Sequence, residues 1–227
     1  TYLYWSNSLQ GKREFLWNAK PRFGKTLTSY WFTEKIEAKK VLIVTNRPAI
    51  SDSWYTDYRQ FIQPKGIFKF GSTKDNKNIT NEGNLQGRAL NVSETKTAIK
   101  KGDPTIFFIS LQDIKGRDID NSEEFKQKNK WIFDESWDLF IIDESHEATE
   151  TDNAYKLFKN LQTNFTLHLS GTPFKALTNK KFSANQIFNW TYEDEQSAKE
   201  AWDPTDGENP YYELPRMNMF AYRLSNT

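Results

Sequence analysis

One segment of the chain has the residue types and spacing that suit phosphate binding. Residues 19–26 read Ala-Lys-Pro-Arg-Phe-Gly-Lys-Thr, which matches the phosphate-loop pattern of a glycine, four residues and Gly-Lys-Ser/Thr at every position but the first. In such a loop Gly24 lets backbone N–H groups face phosphate oxygens, and the following helix N-terminus adds a favourable dipole. Lys25 would neutralise the β- and γ-phosphates, and Thr26 would place its hydroxyl on Mg²⁺.

The flanking residues of this segment leave two alternatives open. Phe23 counts with Gly24 among the nucleotide-binding residues of the loop, whereas Arg22 either contacts a phosphate or is a solvated loop charge. The whole segment, taken alone, is also compatible with a simple Gly-Lys-Thr turn that opens an ordinary helix.

Two adjacent carboxylates follow an apolar run later in the chain. Asp143 and Glu144 come directly after residues 139–142, Leu-Phe-Ile-Ile. An ATPase needs one carboxylate to hold hydrated Mg²⁺ and another to orient and deprotonate the attacking water. Asp143 suits the first role and Glu144 the second.

A similar tripeptide precedes this run and is interpreted differently. Asp134-Glu135-Ser136 follows only the short run 131–133, Trp-Ile-Phe, and is itself followed by another strand-like run. We therefore predict that Asp134 and Glu135 are loop residues outside the site.

A third segment, Ser170-Gly171-Thr172-Pro173, also ends an apolar run. Small hydroxyl side chains beside glycine at a strand end can report the state of a bound phosphate to neighbouring loops, although a plain Gly-Thr-Pro turn has the same composition. The order of the three segments, each at the end of an apolar run, makes coincidence an unsatisfactory explanation.

The apolar runs predict the scaffold that positions these segments. Continuous apolar runs indicate strands covered on both faces, and their alternation with helical stretches indicates a parallel, doubly wound α/β sheet. In that fold, ligands bind at the carboxyl ends of the strands. The runs are 15–17, 41–44, 105–109, 139–142 and 165–169, with a helical stretch at 27–36 and a polar surface loop at 71–87.

With these residues in place, the chain resembles the first lobe of superfamily 2 helicases and translocases. Gly-Lys-Thr at 24–26 matches motif I, Asp143 to His146 a DExH-type motif II, and Ser170-Gly171-Thr172 motif III. The resemblance spans roughly residues 15 to 175 and, within the superfamily, is strongest to the motor parts of type III or type I-like restriction enzymes. It implies a three-layer RecA-like P-loop NTPase fold with a mostly parallel central sheet.

The same resemblance implies further roles. ATP and Mg²⁺ would be the cofactors, and His146, Ser170 and Thr172 would couple the nucleotide state to the rest of the lobe. Residues 41–48 and 109–112 resemble motifs Ia and Ib. The residues of these two segments that would contact nucleic acid are Thr45, Arg47 and Ser110. Duplex DNA is the favoured partner. A wider basic track, which is equally compatible with a solvated surface, comprises Arg47, Lys96, Lys100, Lys101, Lys115 and Arg117.

Two features depart from the family pattern. No glutamine motif lies at the expected distance before Lys25, so we expect the adenine-contacting residues upstream of Thr1. We also expect residues 1–200 to form the ATP-binding lobe and 201–227 to be a linker and the start of a second RecA-like lobe, which would supply the arginine finger. Because that group contributes strongly to turnover, the chain alone should be a weak or inactive ATPase.

Composition narrows the classes of protein. With no cysteine and two histidines, the chain has neither a disulfide framework nor the usual ligands of a zinc site. The formal net charge of +1 argues neither for nor against nucleic acid. With no apolar run of membrane-spanning length and no signal peptide, we expect a cytoplasmic protein without a membrane partner.

The sequence therefore favours the ATP-binding and hydrolysing lobe of a DNA-dependent motor, the translocase part of a restriction or defence enzyme. A nuclease or methyltransferase domain or subunit is a partner that this interpretation allows. Two alternatives stay open: a strand-separating RNA or DNA helicase, and a non-catalytic, ATP-dependent clamp on nucleic acid. A small-molecule kinase is disfavoured because motif III has no role there.

Overall fold

The computed structural model describes residues 1–7, 13–45, 51–73, 88–115, 123–143, 158–171 and 182–216. The chain divides into two compact units, Thr1–Asn189 and Trp190–Thr227. The nine strands of the described residues are β1 (Glu14–Ala19), β2 (Lys40–Thr45), β3 (Lys69–Ser72), β4 (Thr105–Ser110), β5 (Ser136–Trp137), β6 (Leu139–Asp143), β7 (Gln162–Thr163), β8 (Thr166–Ser170) and β9 (Ile187–Trp190).

Seven of these strands form the central sheet, in the order β3-β4-β2-β6-β8-β1-β9. Every neighbouring pair from β3 to β1 is parallel. β5 and β7 form a separate parallel pair. The predicted mostly parallel α/β sheet is thus confirmed, and each of the five predicted strand runs lies in it.

Helices cover the sheet on both faces. They are α1 (Tyr2–Asn7), α2 (Lys25–Lys35), α3 (Ser51–Asp57), α4 (Val92–Lys100), α5 (Leu111–Lys115) and α6 (Glu123–Asp134). A further helix, α7 (Tyr192–Glu200), belongs to the second unit. α3 continues through a π-helical turn, Tyr58–Ile62, into a 3₁₀ turn, Gln63–Lys65, and further 3₁₀ turns lie at Ala184–Gln186 and Pro204–Asp206. None of the helices in the described ranges combines the length and apolar character needed to cross a bilayer.

Alternate residues of β2, β4 and β6 enter two separate apolar cores. Val41 and Ile43 of β2 pack in one core with α2 and α3, whereas Leu42 and Val44 pack in the other with α4, α5 and α6. All four side chains are fully buried. A strand buried on both faces cannot show alternation of polar and apolar residues, which explains the continuous apolar runs in the sequence.

The structure corrects two local predictions. The polar stretch predicted as a loop from 71 to 87 begins inside β3, where Gly71 and Ser72 are buried, and residues 74–87 lie outside the described residues. A Cβ on Gly71 would lie 2.1 Å from Thr95 Oγ1, so this strand position requires glycine. Asp134 ends helix α6 instead of lying in a loop, because the apolar residues before it pack as a helix against the sheet.

The second unit begins with α7. The hydroxyl of Thr191 caps this helix by accepting a hydrogen bond from Asp194 N. Lys199 Nζ donates to the carbonyl oxygens of Tyr212 and Leu214 at 2.7 and 2.8 Å, so the helix packs with the segment after it. The predicted boundary after residue 200 therefore differs from the division at 189. A second lobe starting in this region stays a prediction.

Candidate nucleotide site

The three motif strands are neighbours in the sheet. β8 lies between β6 and β1, with Ile142 opposite His168 and Asn18 opposite Ser170. Since all three strands are parallel, their carboxyl ends reach the same edge, hereafter the carboxyl edge. The phosphate loop after β1, Asp143 at the end of β6 and Ser170 at the end of β8 therefore meet there.

The loop after β1 has the backbone that a tight anion-binding turn requires. Gly24 immediately precedes α2 and adopts a left-handed conformation, with φ +88°. Arg22 is also left-handed, at φ +68°, which costs a side-chain-bearing residue about 1 to 2 kcal/mol. Ala19, at the position where the pattern has its first glycine, is the buried last residue of β1 and has no positive φ. Alanine is therefore compatible with this loop.

Lys25 lies on the concave side of the loop. Its Nζ donates to Ala19 O at 2.8 Å and to Lys20 O at 3.4 Å. A Cβ built on Gly171 would be 3.7 Å from both Lys25 Nζ and Pro21 Cδ, so the residue after β8 lies close to the loop. The first and third motifs are thus near one another beside the lysine ammonium group.

Asp143 is buried where β6 ends and is held by a tryptophan. The residue is only 7% exposed, and its Oδ2 accepts a hydrogen bond from Trp54 Nε1 at 3.0 Å. In the neighbouring strand β2, Thr45 lies opposite Asp143. A hydrogen bond from an indole N–H to a carboxylate is of the stronger, charge-assisted kind and restricts the orientation of the carboxylate.

Trp54 also connects to the helix that follows the phosphate loop. The hydroxyl of Tyr30, on α2, donates to the backbone oxygen of Trp54 at 2.7 Å, and the two rings meet edge to face at 5.4 Å. Burial raises the pKa of the Tyr30 hydroxyl well above its usual range, so it remains a donor at physiological pH. α2, α3 and the Asp143 carboxylate are therefore joined by one buried network.

No signal in the sequence points to Trp54 as a site residue. It is one of eight tryptophans and belongs to none of the three motifs. Its contact with Asp143 joins residues far apart in the chain, and only the packing of α3 beside β6 brings them together.

Several predicted site residues lie outside the described residues: Glu144, His146, Thr172 and Arg47. Two other predicted residues, Thr45 and Ser110, do lie at the carboxyl edge, opposite one another in β2 and β4. Their side chains are buried, at 0% and 2% exposure, and Ser110 Oγ accepts a hydrogen bond from Asp113 N at the start of α5. This burial does not favour direct side-chain contact of either residue with nucleic acid.

The described side chains of the predicted basic track are those of Lys96, Lys100 and Lys101, all on or directly after α4. α4 ends at Lys100 shortly before β4 begins, so Lys100 and Lys101 lie towards the amino edge of the sheet. The length of β4, about 20 Å, separates them from the carboxyl edge. Lys96 Nζ lies over the ring of Trp131, 5.3 Å from its centroid. Arg117 lies outside the described residues.

The second carboxylate pair lies at the amino edge as well. Glu135 Oε1 is 2.6 Å from Nζ of Lys40, the first residue of β2. Asp138 Oδ2 accepts hydrogen bonds from the backbone of Lys39 and Lys40 nearby. The location of Glu135 at the edge opposite Asp143 agrees with the prediction that this pair is not part of the site.

The residues at the carboxyl edge fit a magnesium ion bound together with phosphates. Within the described residues no group of three or more His, Cys, Asp or Glu side chains could hold a metal by itself. Mg²⁺ in nucleotide sites usually takes one or two protein oxygens and completes its octahedron with water and phosphate oxygens. The Asp143 carboxylate and the partly exposed Thr26 hydroxyl are suitable protein ligands of that kind.

The chain is similar to known proteins in sequence and in fold. A family model described as "Type III restriction enzyme, res subunit" matches residues 4–175. The C-terminus of a putative type II restriction enzyme and methyltransferase from Mycoplasma pneumoniae is 27% identical over 250 residues. That match covers 93% of this chain and 32% of the relative, so the chain spans about a third of the relative's length.

Two solved structures share the fold. A nuclease-deletion mutant of the Type ISP restriction-modification enzyme LlaGI, in complex with a DNA substrate mimic, has a TM-score of 0.55 at 13% identity, over 88% of this chain and 20% of that chain. The SWI2/SNF2 ATPase core of Sulfolobus solfataricus, in complex with dsDNA, has a TM-score of 0.50 at 16% identity, over 74% and 30% of the two chains. At these identities the likeness is evidence of fold alone, and the RecA-like α/β fold is confirmed.

Proposed function

Because the chain belongs to the type III restriction enzyme res subunit family, a helicase-like family, we propose that it is the first RecA-like lobe of an ATP-driven motor. In this proposal the lobe binds Mg²⁺ and ATP, hydrolyses ATP together with a second lobe, and drives movement along duplex DNA within a restriction or defence enzyme. The family membership supports the helicase-like motor, and ATP hydrolysis and translocation are the parts that we add.

One observation carries the proposal: the three motifs follow three neighbouring parallel strands and meet at the carboxyl edge of the sheet. The ammonium group of Lys25 lies inside the loop after β1, at 2.8 Å from Ala19 O. Gly171, directly after β8, lies close to the same group. Asp143 ends β6, which is separated from β1 by β8. Such a lysine, backbone N–H groups at a helix N-terminus and a nearby metal-binding carboxylate together form a binding site for a Mg²⁺–triphosphate group.

The residues have separate roles in this mechanism. Lys25 neutralises charge on the β- and γ-phosphates, and Thr26 and Asp143 would hold a Mg²⁺ ion, which would supply further charge stabilisation to the phosphoryl group. Glu144 orients and deprotonates the attacking water. His146, Ser170 and Thr172 sense the state of the γ-phosphate. An arginine from the second lobe completes the site, which is why turnover by this chain alone should be slow.

The DNA part of the proposal rests on relatives. The solved structures of similar fold are a restriction-modification enzyme with a DNA substrate mimic and an ATPase core with dsDNA. The relative that is both a putative restriction enzyme and a methyltransferase supports an attached nuclease or methyltransferase in the full protein. DNA would lie across the carboxyl edge, where β2 and β4 end at Thr45 and Ser110.

Replacement of Lys25 with alanine tests the nucleotide site. The change removes a charge-assisted contact worth about 1.5 to 3 kcal/mol, so the dissociation constant of Mg²⁺–ATP should rise about 10- to 150-fold in titration calorimetry. Lys69→Ala is the matched control, because Lys69 pairs with Asp103 at the amino edge and should leave the affinity unchanged. Equal affinity of Lys25→Ala and the unmodified chain would exclude the proposed phosphate loop.

A further inference from the structure

A cavity of about 250 Å³ lies between helices α4 and α6. It is lined by three residues of α4 and by three at the end of α6: Lys96, Ile99, Lys100, Trp131, Asp134 and Glu135. Both helices pack on the face of the sheet that is opposite to α2 and α3. Because both helices end at the amino edge, the cavity is separated from the candidate nucleotide site by the length of the strands.

One wall of this cavity has a buried hydrogen-bond donor without a partner. Nε1 of Trp131 is buried, and no hydrogen-bond acceptor lies within reach of it. The indole ring packs edge to face on Phe107 of β4, with centroids 4.9 Å apart, which holds it in place. Buried indole N–H groups in proteins usually have an acceptor. A ligand that brings an acceptor into the cavity would supply the missing partner.

The α4 wall carries two ammonium groups. Lys96 Nζ lies over the ring of Trp131, 5.3 Å from its centroid. Lys100 lies one helical turn later, on the same side of α4. Among the described residues, neither lysine forms an ion pair. Two ammonium groups beside an unpaired N–H form a set of donors that suits a carboxylate.

The α6 wall has the opposite charge. Glu135 is neutralised by Lys40, whose Nζ is 2.6 Å away. Asp134, the exposed last residue of α6, forms no ion pair within the described part of the chain. The last turn of α6 also contains no basic residue, so the negative end of its helix dipole is not compensated there by a side chain. This wall therefore favours an ammonium group.

We propose that the cavity binds a free amino acid with an apolar side chain. The carboxylate of the ligand pairs with Lys96 and Lys100 and accepts the hydrogen bond of the Trp131 indole. Its ammonium group faces Asp134, and its side chain packs on Ile99. A simple anion or a simple cation would use only one of the two walls. No residue of the candidate nucleotide site lines the cavity, so this inference does not depend on the proposed function.

The test follows the indole N–H signal of Trp131 by nuclear magnetic resonance. The signal is identified by its loss in Trp131→Phe. L-Phenylalanine should move it downfield in a saturable manner, with a dissociation constant on the order of 1 mM for so small a ligand. 3-Phenylpropionate lacks the ammonium group and phenethylamine lacks the carboxylate. Each should bind at least about threefold more weakly than L-phenylalanine, because it loses one charge pair at a partly exposed site.

Two variants separate the walls. Lys100→Ala should weaken the binding of L-phenylalanine and of 3-phenylpropionate at least about threefold, whereas Asp134→Asn should weaken L-phenylalanine and leave 3-phenylpropionate unchanged. Lys101→Ala is the matched control, since Lys101 is the next residue in the chain and is also exposed, but it lines a different cavity. Its affinity for L-phenylalanine should equal that of the unmodified chain.

Three results would overturn the amino acid site. The first is an indole signal that L-phenylalanine does not move. The second is affinity for either fragment as high as that for L-phenylalanine. The third is an equal loss of affinity in Lys100→Ala and Lys101→Ala. The Lys25→Ala variant should bind L-phenylalanine normally, so that failure of the proposed nucleotide site and failure of this cavity are distinguished in the same protein.

Discussion

Replacement of Trp54 with phenylalanine removes the indole N–H that reaches Asp143 and keeps an aromatic ring in the core. Trp54 is fully buried, and its Nε1 lies 3.0 Å from Asp143 Oδ2. Phenylalanine has no donor there, so the carboxylate loses the partner that fixes its orientation. We expect two effects, on stability and on metal-dependent nucleotide binding.

The effect on stability is the sum of two losses. The smaller ring leaves a void on the order of 40 Å³, which costs roughly 1 kcal/mol. The lost hydrogen bond to a charged group costs about 1.5 to 3 kcal/mol more. The free energy of unfolding should therefore fall by about 2.5 to 4 kcal/mol, measured by urea denaturation.

The effect on the site is specific to the carboxylate. Loss of a partner that orients a metal ligand typically costs about 10- to 100-fold in metal affinity. The Trp54→Phe chain should bind Mg²⁺–ATP more weakly by about this factor, and its affinity for ATP measured without Mg²⁺ should change little. Titration calorimetry with and without Mg²⁺ separates the effect on metal binding from the effect on binding of ATP itself.

Trp137→Phe provides the matched control. Trp137 is also fully buried, but it lies in the other core and donates to the backbone oxygen of Ile132 at 2.9 Å. This variant has the same change from indole to phenyl and loses a neutral hydrogen bond, so its free energy of unfolding should fall by roughly 1.5 to 2.5 kcal/mol. Its affinity for Mg²⁺–ATP should stay the same. The same affinity in both variants would refute a role of Trp54 in positioning Asp143.

The remaining predictions concern turnover in a protein that joins this chain to a second lobe. Glu144→Gln should lower the steady-state ATPase rate by about 10²- to 10⁴-fold with little change in ATP affinity, because a general base acts only on the chemical step. Glu135→Gln should change neither quantity, since Glu135 pairs with Lys40 at the amino edge; a large loss there with a silent Glu144→Gln would reverse the assignment. This chain alone should release phosphate far more slowly than the two-lobe protein, with or without duplex DNA, and equal rates would contradict a site shared between two lobes.

Much of the fold was predictable because its signals are local. A strand covered on both faces is a continuous apolar run, as in residues 41–44 and 139–142, and such runs do not depend on which strand lies beside them. An apolar run is less informative when it is short: residues 131–133 are apolar like the strand runs but lie in the last turn of α6, because three apolar residues in a row occur in either element.

The sequence by itself predicted which residues would act on a triphosphate. Lys25 follows the loop after β1 and Asp143 ends β6, and parallel strands bring such residues to one edge whatever the strand order. The tertiary structure alone decided that β8 lies between β6 and β1, that β9 brings Phe188 to Phe23, and that Trp54 reaches Asp143. These contacts join residues distant in the chain. They depend on strand order and helix packing, which arise from burial of the whole apolar surface and leave no mark in any short segment.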